Sequence, residues 1–252
     1  MKPAVLITGA AHRVGRAIAL DLAAHGWGIA VHYNRSEAAA RAVVDLIVGA
    51  GGEAVPVRAD LGAEAETAAL VPAAAAALGR PLSALVNNAS SFEKDTLTTM
   101  TRASWDLHME ANLRAPCVLA QAFAAALPEG ERGAIVNLVD QRVRKPTPQF
   151  FSYAISKAAL AWVTVTMAQE LAPRIRVNAI APGPTLRNVR QSEGDWQAQV
   201  DATLLRTGSP PAEIVAAVRY LLGALAVTGQ VLVVDGGQHL AWKTADVWGL
   251  SE

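Results

Sequence analysis

Short apolar runs alternate with longer alanine-rich, helix-favouring segments from the first residues to about residue 180. A strand that is apolar on both faces must be covered on both faces, so the alternation predicts a parallel sheet between two layers of helices. The fold class is therefore α/β, a single doubly wound Rossmann-type parallel sheet of about seven strands with helices on both faces. The predicted strands are Ala4–Thr8, Gly28–Tyr33, Ala54–Val57, Ala84–Asn87, Ala134–Val139, Arg176–Ile180 and Val231–Val234, and the predicted helices lie near 14–25, 36–49, 63–78, 101–127, 152–171 and 211–224.

One segment does not follow this alternation of apolar strands and alanine-rich helices. Residues 184–209 are polar and rich in Arg, Gln and Gly, which is typical of a mobile flap beside a binding site. The remaining chain has no repeats, and its 52% hydrophobic content with 17% charged residues fills a sizeable core. The prediction is one domain over 1–252 with a substrate flap near 184–209.

The charge balance narrows the choice of partners. The chain has 22 basic and 22 acidic residues, so no net field attracts nucleic acid or an anionic membrane. Small molecules and further copies of the chain are the expected partners, and no metal is predicted. No targeting or membrane-spanning segment is evident. The single Cys117 excludes an intrachain disulfide, favours a core position over a catalytic one, and suits a reducing compartment, so we expect the cytoplasm.

The segment from Thr8 to Gly15 joins the first strand to the first helix. Bare backbone N–H groups and a helix N-terminus at such a junction hold a pyrophosphate, although an ordinary strand-to-helix turn is the alternative. Gly9 allows the tight turn and Gly15 lets the helix pack closely. Arg13 replaces a further Gly of the usual dinucleotide fingerprint, and its guanidinium is able to reach a phosphate bidentately.

The second strand ends in His32-Tyr33-Asn34-Arg35-Ser36, without the acidic residue that binds an NAD ribose. Arg35 and Ser36 offer a charge and a hydroxyl to the extra phosphate of NADP, so NADP(H) is favoured over NAD. The alternative is a solvated Arg at the start of a surface helix. Asp60-Leu61, after the third strand, is placed for the adenine edge, although Asp60 could equally be a helix N-cap.

Small and amide residues follow the fourth strand as Asn87-Asn88-Ala89-Ser90-Ser91, and leave room beside a nicotinamide. Phe92 is either a stacking wall for a flat substrate or core, and the charged run Glu93-Lys94-Asp95 follows it. Asn112 lies within a predicted helix on a face otherwise turned inward. It either holds a backbone carbonyl and an ordered water or caps a bend.

The fifth strand ends at Asp140, thirteen residues before Tyr153, so its carboxyl is expected at the edge of the sheet where a cofactor lies. Tyr153 stands four residues before Lys157 in an apolar helix. An ammonium group one helical turn away favours the phenolate, so the sequence predicts that Tyr153 releases its proton near neutral pH as a general acid. A Tyr and a Lys at this spacing also occur by chance.

Two further segments border the same edge. The basic run 141–145 attracts an anionic substrate or is a solvated loop. Pro182-Gly183 turns the chain sharply after the sixth strand, over the expected cofactor.

Together these residues resemble the short-chain dehydrogenase/reductase family over essentially the whole chain. The shared motifs are Thr8-Gly9 through Gly15, Asp60, Asn87-Asn88-Ala89, Asn112, Tyr153 with Lys157, and Pro182-Gly183. Within the family the chain is most similar to pteridine reductases and dihydromonapterin reductases, on Arg13, His32 to Ser36, Asn88 to Phe92, Asp235 to Leu240, and Asp140 where most members have Ser.

The resemblance implies roles for the matching residues. The residue that matches Phe92 stacks on a pterin, while those matching Arg13, Ser90, Asp140 and Tyr153 face the pterin or the cofactor. Lys157 holds the nicotinamide ribose, and Asn112 orders a water that relays protons to it. The predicted cofactor-binding set is Gly9, Arg13, Val14, Gly15, Tyr33, Asn34, Arg35, Ser36, Asp60, Leu61, Asn88, Ala89, Ser90, Tyr153, Lys157, Pro182 and Gly183.

The predicted activity is NADPH-dependent reduction of a C=N bond in a dihydropterin-like substrate, with Asp140, Tyr153, Lys157 and Asn112 as the catalytic set. Asp140 is the residue that favours a C=N substrate over a C=O substrate. An ionised carboxylate only accepts hydrogen bonds, and it would repel the alkoxide that forms when a carbonyl is reduced. A carbonyl reductase remains the alternative if burial keeps Asp140 protonated, and a non-catalytic NADPH sensor is a further one. The family resemblance implies a homotetramer, and helices 101–127 and 152–171 are apolar enough to form its contacts.

Overall fold

The computed structural model describes residues 2–188 and 190–244. Residues 1, 189 and 245–252, which belong to the predicted domain and flap, lie outside the described residues. The strands are β1 (Ala4–Ile7), β2 (Gly28–Tyr33), β3 (Glu53–Arg58), β4 (Ala84–Asn87), β5 (Gly133–Leu138), β6 (Ile175–Pro182) and β7 (Val231–Val234). The helices are α1 (Arg13–Ala24), α2 (Glu37–Gly49), α3 (Glu64–Ala77), α4 (Arg102–Met109), α5 (Ala115–Ala126), α6 (Phe151–Leu171), α7 (Glu193–Asp201) and α8 (Pro211–Gly223).

The strands form one seven-stranded sheet in the order β3-β2-β1-β4-β5-β6-β7. Every neighbouring pair is parallel, and β1 lies between β2 and β4. The strand order therefore reverses beside β1, where the crevice at the carboxyl ends of the strands is the usual ligand site of such sheets. The predicted fold class is confirmed, and the predicted strands and helices agree with the observed ones within two residues, except for the helix over 101–127.

Each face of the sheet is covered by its own helices. On one face, Ile18, Val43 and Ile214 of α1, α2 and α8 pack on alternate strand residues, and all are at most 1% exposed. On the other face, Leu70 and Phe123 of α3 and α5 pack on the remaining strand residues. Burial of both faces explains the continuous apolar strands. Among the described helices, none is both long and apolar enough to cross a membrane.

The helix predicted over 101–127 is interrupted. Between α4 and α5 the chain makes a π-helical turn, Glu110–Arg114, which contains Asn112. Pro116 lies in the first turn of α5 and has no N–H to donate to the carbonyl of Asn112, the partner that a regular α-helix would provide. Single π-turns within α-helices are frequent at functional sites.

The flap predicted over 184–209 contains a helix that the sequence did not indicate. Ser192 is the N-cap of α7, and its hydroxyl accepts the N–H of Asp195. No residue of α7 is buried. An exposed helix has no apolar face, so periodicity gives no signal for it. In the sequence, Ser192 is a residue type that is preferred at a helix N-cap, and this was the available signal.

Candidate active site

A cavity of about 930 Å³ opens at the carboxyl ends of β1 to β4. Most of the residues predicted to bind a cofactor line it. They are Gly9, Arg13, Val14, Gly15, Tyr33, Asn34, Arg35, Ser36, Asp60, Leu61, Asn88, Ala89 and Ser90. The other predicted members, Tyr153, Lys157, Pro182 and Gly183, lie outside its lining.

The glycine loop is packed tightly against the end of β4. Gly9 has a φ of 64°, which favours glycine. A Cβ on Gly15 would lie 2.4 Å from the carbonyl oxygen of Gly9 and 2.5 Å from Nδ2 of Asn88. Nδ2 of Asn88 also donates to the carbonyl of Thr8 at 2.8 Å. The loop is therefore a narrow backbone cradle of the kind that admits a pyrophosphate, and it fits a dinucleotide.

His32 fixes the ends of three strands at the floor of this cavity. Its Nδ1 accepts the N–H of Gly9 at 3.0 Å, so its proton is on Nε2, which donates to the carbonyl of Ala59 at 3.1 Å. Burial lowers the pKa of His32 from 6.5 to about 4. The imidazole is consequently neutral, and it joins the glycine loop to the segment that follows β3.

The residues at the end of β2 present unused polar groups to the cavity. Within the described part of the chain, the exposed Arg35 has no hydrogen bond or ion pair, and the Ser36 hydroxyl makes no capping bond to α2. Asp60 accepts the N–H of Gly62 at 2.9 Å. Since α3 begins at Glu64 after Ala63, the N-cap alternative for Asp60 is wrong.

Arg13 contacts the flap. Its guanidinium donates to the carbonyls of Leu186, at 2.7 Å, and Arg187, at 3.0 Å. The predicted phosphate contact of Arg13 stays a prediction, and a phosphate would have to compete with these carbonyls for the guanidinium. Gly183 lies at the base of the flap and donates its N–H to the Ser209 hydroxyl at 2.8 Å.

Asp140 and Tyr153 meet at the carboxyl end of β5. The Tyr153 hydroxyl donates to Oδ2 of Asp140 at 2.9 Å. Arg142 donates from its side chain to both carboxylate oxygens, at 3.3 and 3.2 Å, and from its backbone N–H at 2.8 Å. In these contacts the Asp140 carboxylate acts only as a hydrogen-bond acceptor. The basic run that follows Asp140 is therefore partly a partner of the site rather than only a solvated loop.

The predicted effect of Lys157 on Tyr153 is wrong for this state of the protein. Burial, and then the charge of Asp140, raise the pKa of Tyr153 well above 10. Lys157 instead donates to the carbonyl of Leu138 at 2.7 Å, and burial lowers its pKa to about 8. The spacing placed the two side chains on one helix, but burial and the neighbouring carboxylate of Asp140 determine the direction of the Tyr153 pKa shift.

Phe92 belongs to an aromatic cluster at the mouth of the site. Its ring stacks on Phe150 with centroids 4.3 Å apart, and meets the ring of Tyr153 edge-on at 4.7 Å. Arg190 of the flap lies 5.7 Å from the Phe92 centroid and donates to the Phe92 carbonyl at 2.7 Å. Of the two predictions for Phe92, the half-buried stacked ring fits a wall better than core.

Asn112 uses its whole side chain within the protein. Its Oδ1 accepts the N–H of Ser91 at 2.8 Å and the hydroxyl of Ser90 at 3.1 Å. Its Nδ2 donates to the carbonyl of Ser91 and to the hydroxyl of Ser156 in α6. The side chain thus joins the loop after β4 to α6. It lies in the π-helical turn, where the sequence analysis considered a bend.

The comparisons with known proteins agree with this architecture. A family model described as enoyl-(acyl carrier protein) reductase matches residues 9–239, nearly the whole chain. The chain is a short-chain dehydrogenase/reductase. It is accordingly an oxidoreductase.

Other members of the family are similar over most of their length. The crystal structure of FolM alternative dihydrofolate reductase 1 from Brucella suis, in complex with NADP, is 46% identical with a TM-score of 0.94, over 97% of this chain and 98% of that one. An uncharacterised oxidoreductase of Methylorubrum extorquens is 34% identical over 92% of this chain and 96% of its own. A 3-oxoacyl-[acyl-carrier-protein] reductase of Synechocystis is 32% identical over 92% and 95%.

Sequence reasoning missed several residues of this site. Arg142, Phe150 and Arg190 contact Asp140 or Phe92, yet basic and aromatic residues in loops carry no periodic signal. His108 was detectable, because it lies four residues before Asn112 in a helix and so shares its face. It is fully buried.

Proposed function

We propose that this short-chain dehydrogenase/reductase uses NADPH to reduce a C=N bond of a dihydropterin-like substrate, with Tyr153 as the general acid. The observation that carries the proposal is the ion pair of Asp140 with Arg142 beside the Tyr153 hydroxyl. The Asp140 oxygens accept hydrogen bonds in all of these contacts, and a pterin presents N–H donors to such an acceptor from its amino group and ring. The similarity to an alternative dihydrofolate reductase supports the same substrate class.

The cofactor is proposed to lie in the cavity at the ends of β1 to β4. The glycine cradle would hold its pyrophosphate, and Arg35 with Ser36 would hold the additional phosphate that distinguishes NADP from NAD. When bound, NADPH supplies the hydride. No acidic residue stands at the end of β2 to favour an NAD ribose.

The chain's own residues would orient the substrate and supply the proton. Phe92 offers a ring face to a flat heterocycle, and Asp140 accepts its N–H groups. As the carbon of the C=N bond receives hydride, the electron pair of the π bond moves to nitrogen. That nitrogen takes the proton from the Tyr153 hydroxyl, breaking O–H and forming N–H. The raised pKa keeps Tyr153 protonated until a substrate nitrogen replaces Asp140 as its acceptor.

A carbonyl reductase is the second candidate, and the similarity to a 3-oxoacyl reductase favours it. Such a substrate needs a donor beside its oxygen, whereas the Arg142 pairing leaves Asp140 as an acceptor. A dihydropterin thus requires a hydrogen-bond acceptor at Asp140, whereas a carbonyl substrate requires a donor at the same position.

The deciding experiment is an assay of NADPH oxidation with dihydropterins, dihydrofolate, quinones and simple 3-oxo compounds. Wild type should reduce a dihydropterin best. Asp140→Ser should lose that activity by about a hundredfold or more while retaining or gaining ketone reduction. Asp140→Asn is the matched control for size, since it keeps the shape and removes the charge. Strong ketone reduction by wild type without dihydropterin turnover would overturn the pterin assignment.

We also propose that the enzyme is a cytoplasmic homotetramer. The exposed Trp162 and Val165 on α6 and Leu107 on α4 support subunit contacts on the predicted helices. Leu107 also lines the cofactor cavity, so part of that apolar surface belongs to the site. A stable monomer by light scattering at micromolar concentration would contradict the assembly.

A further inference from the structure

A fully buried polar network lies directly behind Phe92 and Tyr153. Its members are Asp95, 4% exposed, and His108 and Ser152, both 0% exposed. Asp95 is the last residue of the charged run that follows Phe92, yet it points into the protein rather than to the pocket mouth. Burying a carboxylate is costly unless it is hydrogen-bonded, so this arrangement needs a reason.

The hydrogen bonds of the network run in one direction. The Glu93 N–H donates to Nε2 of His108 at 3.0 Å, and Nδ1 of His108 donates to the Ser152 hydroxyl oxygen at 2.7 Å. The Ser152 hydroxyl donates to Oδ2 of Asp95. A backbone N–H only donates and a carboxylate only accepts, so the two ends fix every proton between them.

The titration behaviour of the members agrees with this direction. Burial lowers the pKa of His108, which keeps the ring neutral. Burial alone would raise the pKa of Asp95, but the hydrogen bonds from Ser152 and Ser104 outweigh it, so the pKa of Asp95 lies below its ordinary value. Both shifts favour an ionised Asp95 beside a neutral His108.

The network also supplies the start of α6. Phe150 precedes α6 in the left-handed conformation, at φ 57°, and provides no side-chain cap. Instead the Asp95 carbonyl accepts the N–H of Phe151 at 3.3 Å, and its Oδ1 accepts that of Ser152 at 3.1 Å. A residue distant in sequence thus satisfies two of the unpaired N–H groups of this helix end.

The covalent neighbours of the network are the two rings of the site. Glu93 follows Phe92, and Ser152 precedes Tyr153. The His108 imidazole therefore spans the backbone positions next to both rings, and its own ring lies 6.0 Å from that of Tyr153. This bridge, together with the contacts of Asn112 to Ser91 and Ser156, therefore sets the distance and angle between the Phe92 wall and the Tyr153 hydroxyl.

We propose that Asp95, His108 and Ser152 are positioning residues that hold the Tyr153 hydroxyl in register with a flat substrate stacked on Phe92. The proposal rests on the stacking role given to Phe92 above. None of the three touches the reacting atoms. A shift of about 1 Å in the donor relative to the stacked ring costs on the order of a hundredfold in rate, so their contribution is to kcat.

Ser152→Ala and Ser104→Ala form a matched pair for the test. Each removes one hydroxyl that donates to Oδ2 of Asp95, at 3.1 Å for Ser104. Ser104 belongs to the N-terminal cap of α4, and its hydroxyl is not part of the bridge that runs from Glu93 through His108 to Ser152. Ser152→Ala should lower kcat by about tenfold to a hundredfold with the Kd for NADPH within about twofold, whereas Ser104→Ala should keep kcat within about twofold. Urea unfolding of both variants separates this effect from lost stability.

A second comparison uses His108. Gln offers a donor and an acceptor on one side chain, so His108→Gln should retain more kcat than His108→Leu, which offers neither. The assay uses whichever compound of the panel wild type reduces fastest, so a wrong substrate assignment leaves the test intact. Equal kcat for wild type and Ser152→Ala, an equal loss in Ser104→Ala, or equal kcat for the two His108 variants would overturn the positioning role.

Discussion

The two halves of the active site are built in different ways. The cofactor half consists of strand ends, glycines and backbone N–H groups around an open cavity, and Arg35 has no partner there within the described residues. The substrate half is assembled from side chains of separate segments, and its charges are paired, as in Asp140 with Arg142 and Glu93 with Arg190. The cofactor half is ready to receive a ligand, whereas the substrate half must exchange contacts to do so.

Tyr153→Phe tests the separation of the halves with the largest expected effect. Removing the hydroxyl should lower kcat by about a thousandfold, because general acids contribute on the order of 10²–10⁴ in rate. The Kd for NADPH should stay within about twofold, since Tyr153 lies outside the lining of the cofactor cavity. Tyr220→Phe, at an exposed position, is the control. Undiminished turnover in Tyr153→Phe would remove the general acid from the mechanism.

A pH titration of stability tests the floor of the cofactor half. The folded pKa of His32, about 4, lies below its unfolded value of 6.5, so the unfolded chain binds the extra proton first. Stability should therefore fall as the pH decreases from about 6.5 to about 4, by about 3 kcal/mol from this residue. His32→Gln retains an acceptor for Gly9 and a donor for Ala59 but does not titrate. The difference in unfolding free energy between the two proteins should change over this range, and a constant difference would contradict the buried neutral imidazole.

Arg35→Ala probes the same half with a smaller effect. Losing a charge-assisted contact to a phosphate should raise the Kd for NADPH by about tenfold to a hundredfold and leave the Kd for NADH within about twofold. At saturating NADPH, kcat should remain near that of wild type. Arg41→Ala is the matched control, because Arg41 lies in the helix α2 that follows Arg35 and pairs with Glu37. Equal affinity of wild type for NADPH and NADH would remove the argument for NADP.

The contrast between the halves also explains what the sequence could predict. The glycine loop and the end of β2 are continuous segments, and each lines the cavity through residues that are adjacent in the sequence. Their positions in the cavity therefore followed from the order of strands and helices. Lys157 and Tyr153 were placed on one helix, but the direction of the Tyr153 pKa shift is set by burial and by Asp140, which follows β5, and neither is visible in the helix sequence. Asp95 at the start of α6 joins positions far apart in sequence, which no local pattern records.

The π-helical turn at Glu110–Arg114 fixes the rotation of α5 relative to α4 about the helix axis. A π-turn accommodates one more residue than an α-helical turn, so the segments on either side are out of step with a single continuous helix by about 100°. Deleting one residue there would restore regular α-helical spacing and rotate one segment by this angle. The His108 imidazole of α4, which reaches Ser152, and the Phe123 ring of α5, which packs on the sheet, would then no longer face their partners together. The length of this helix is therefore as constrained as its sequence.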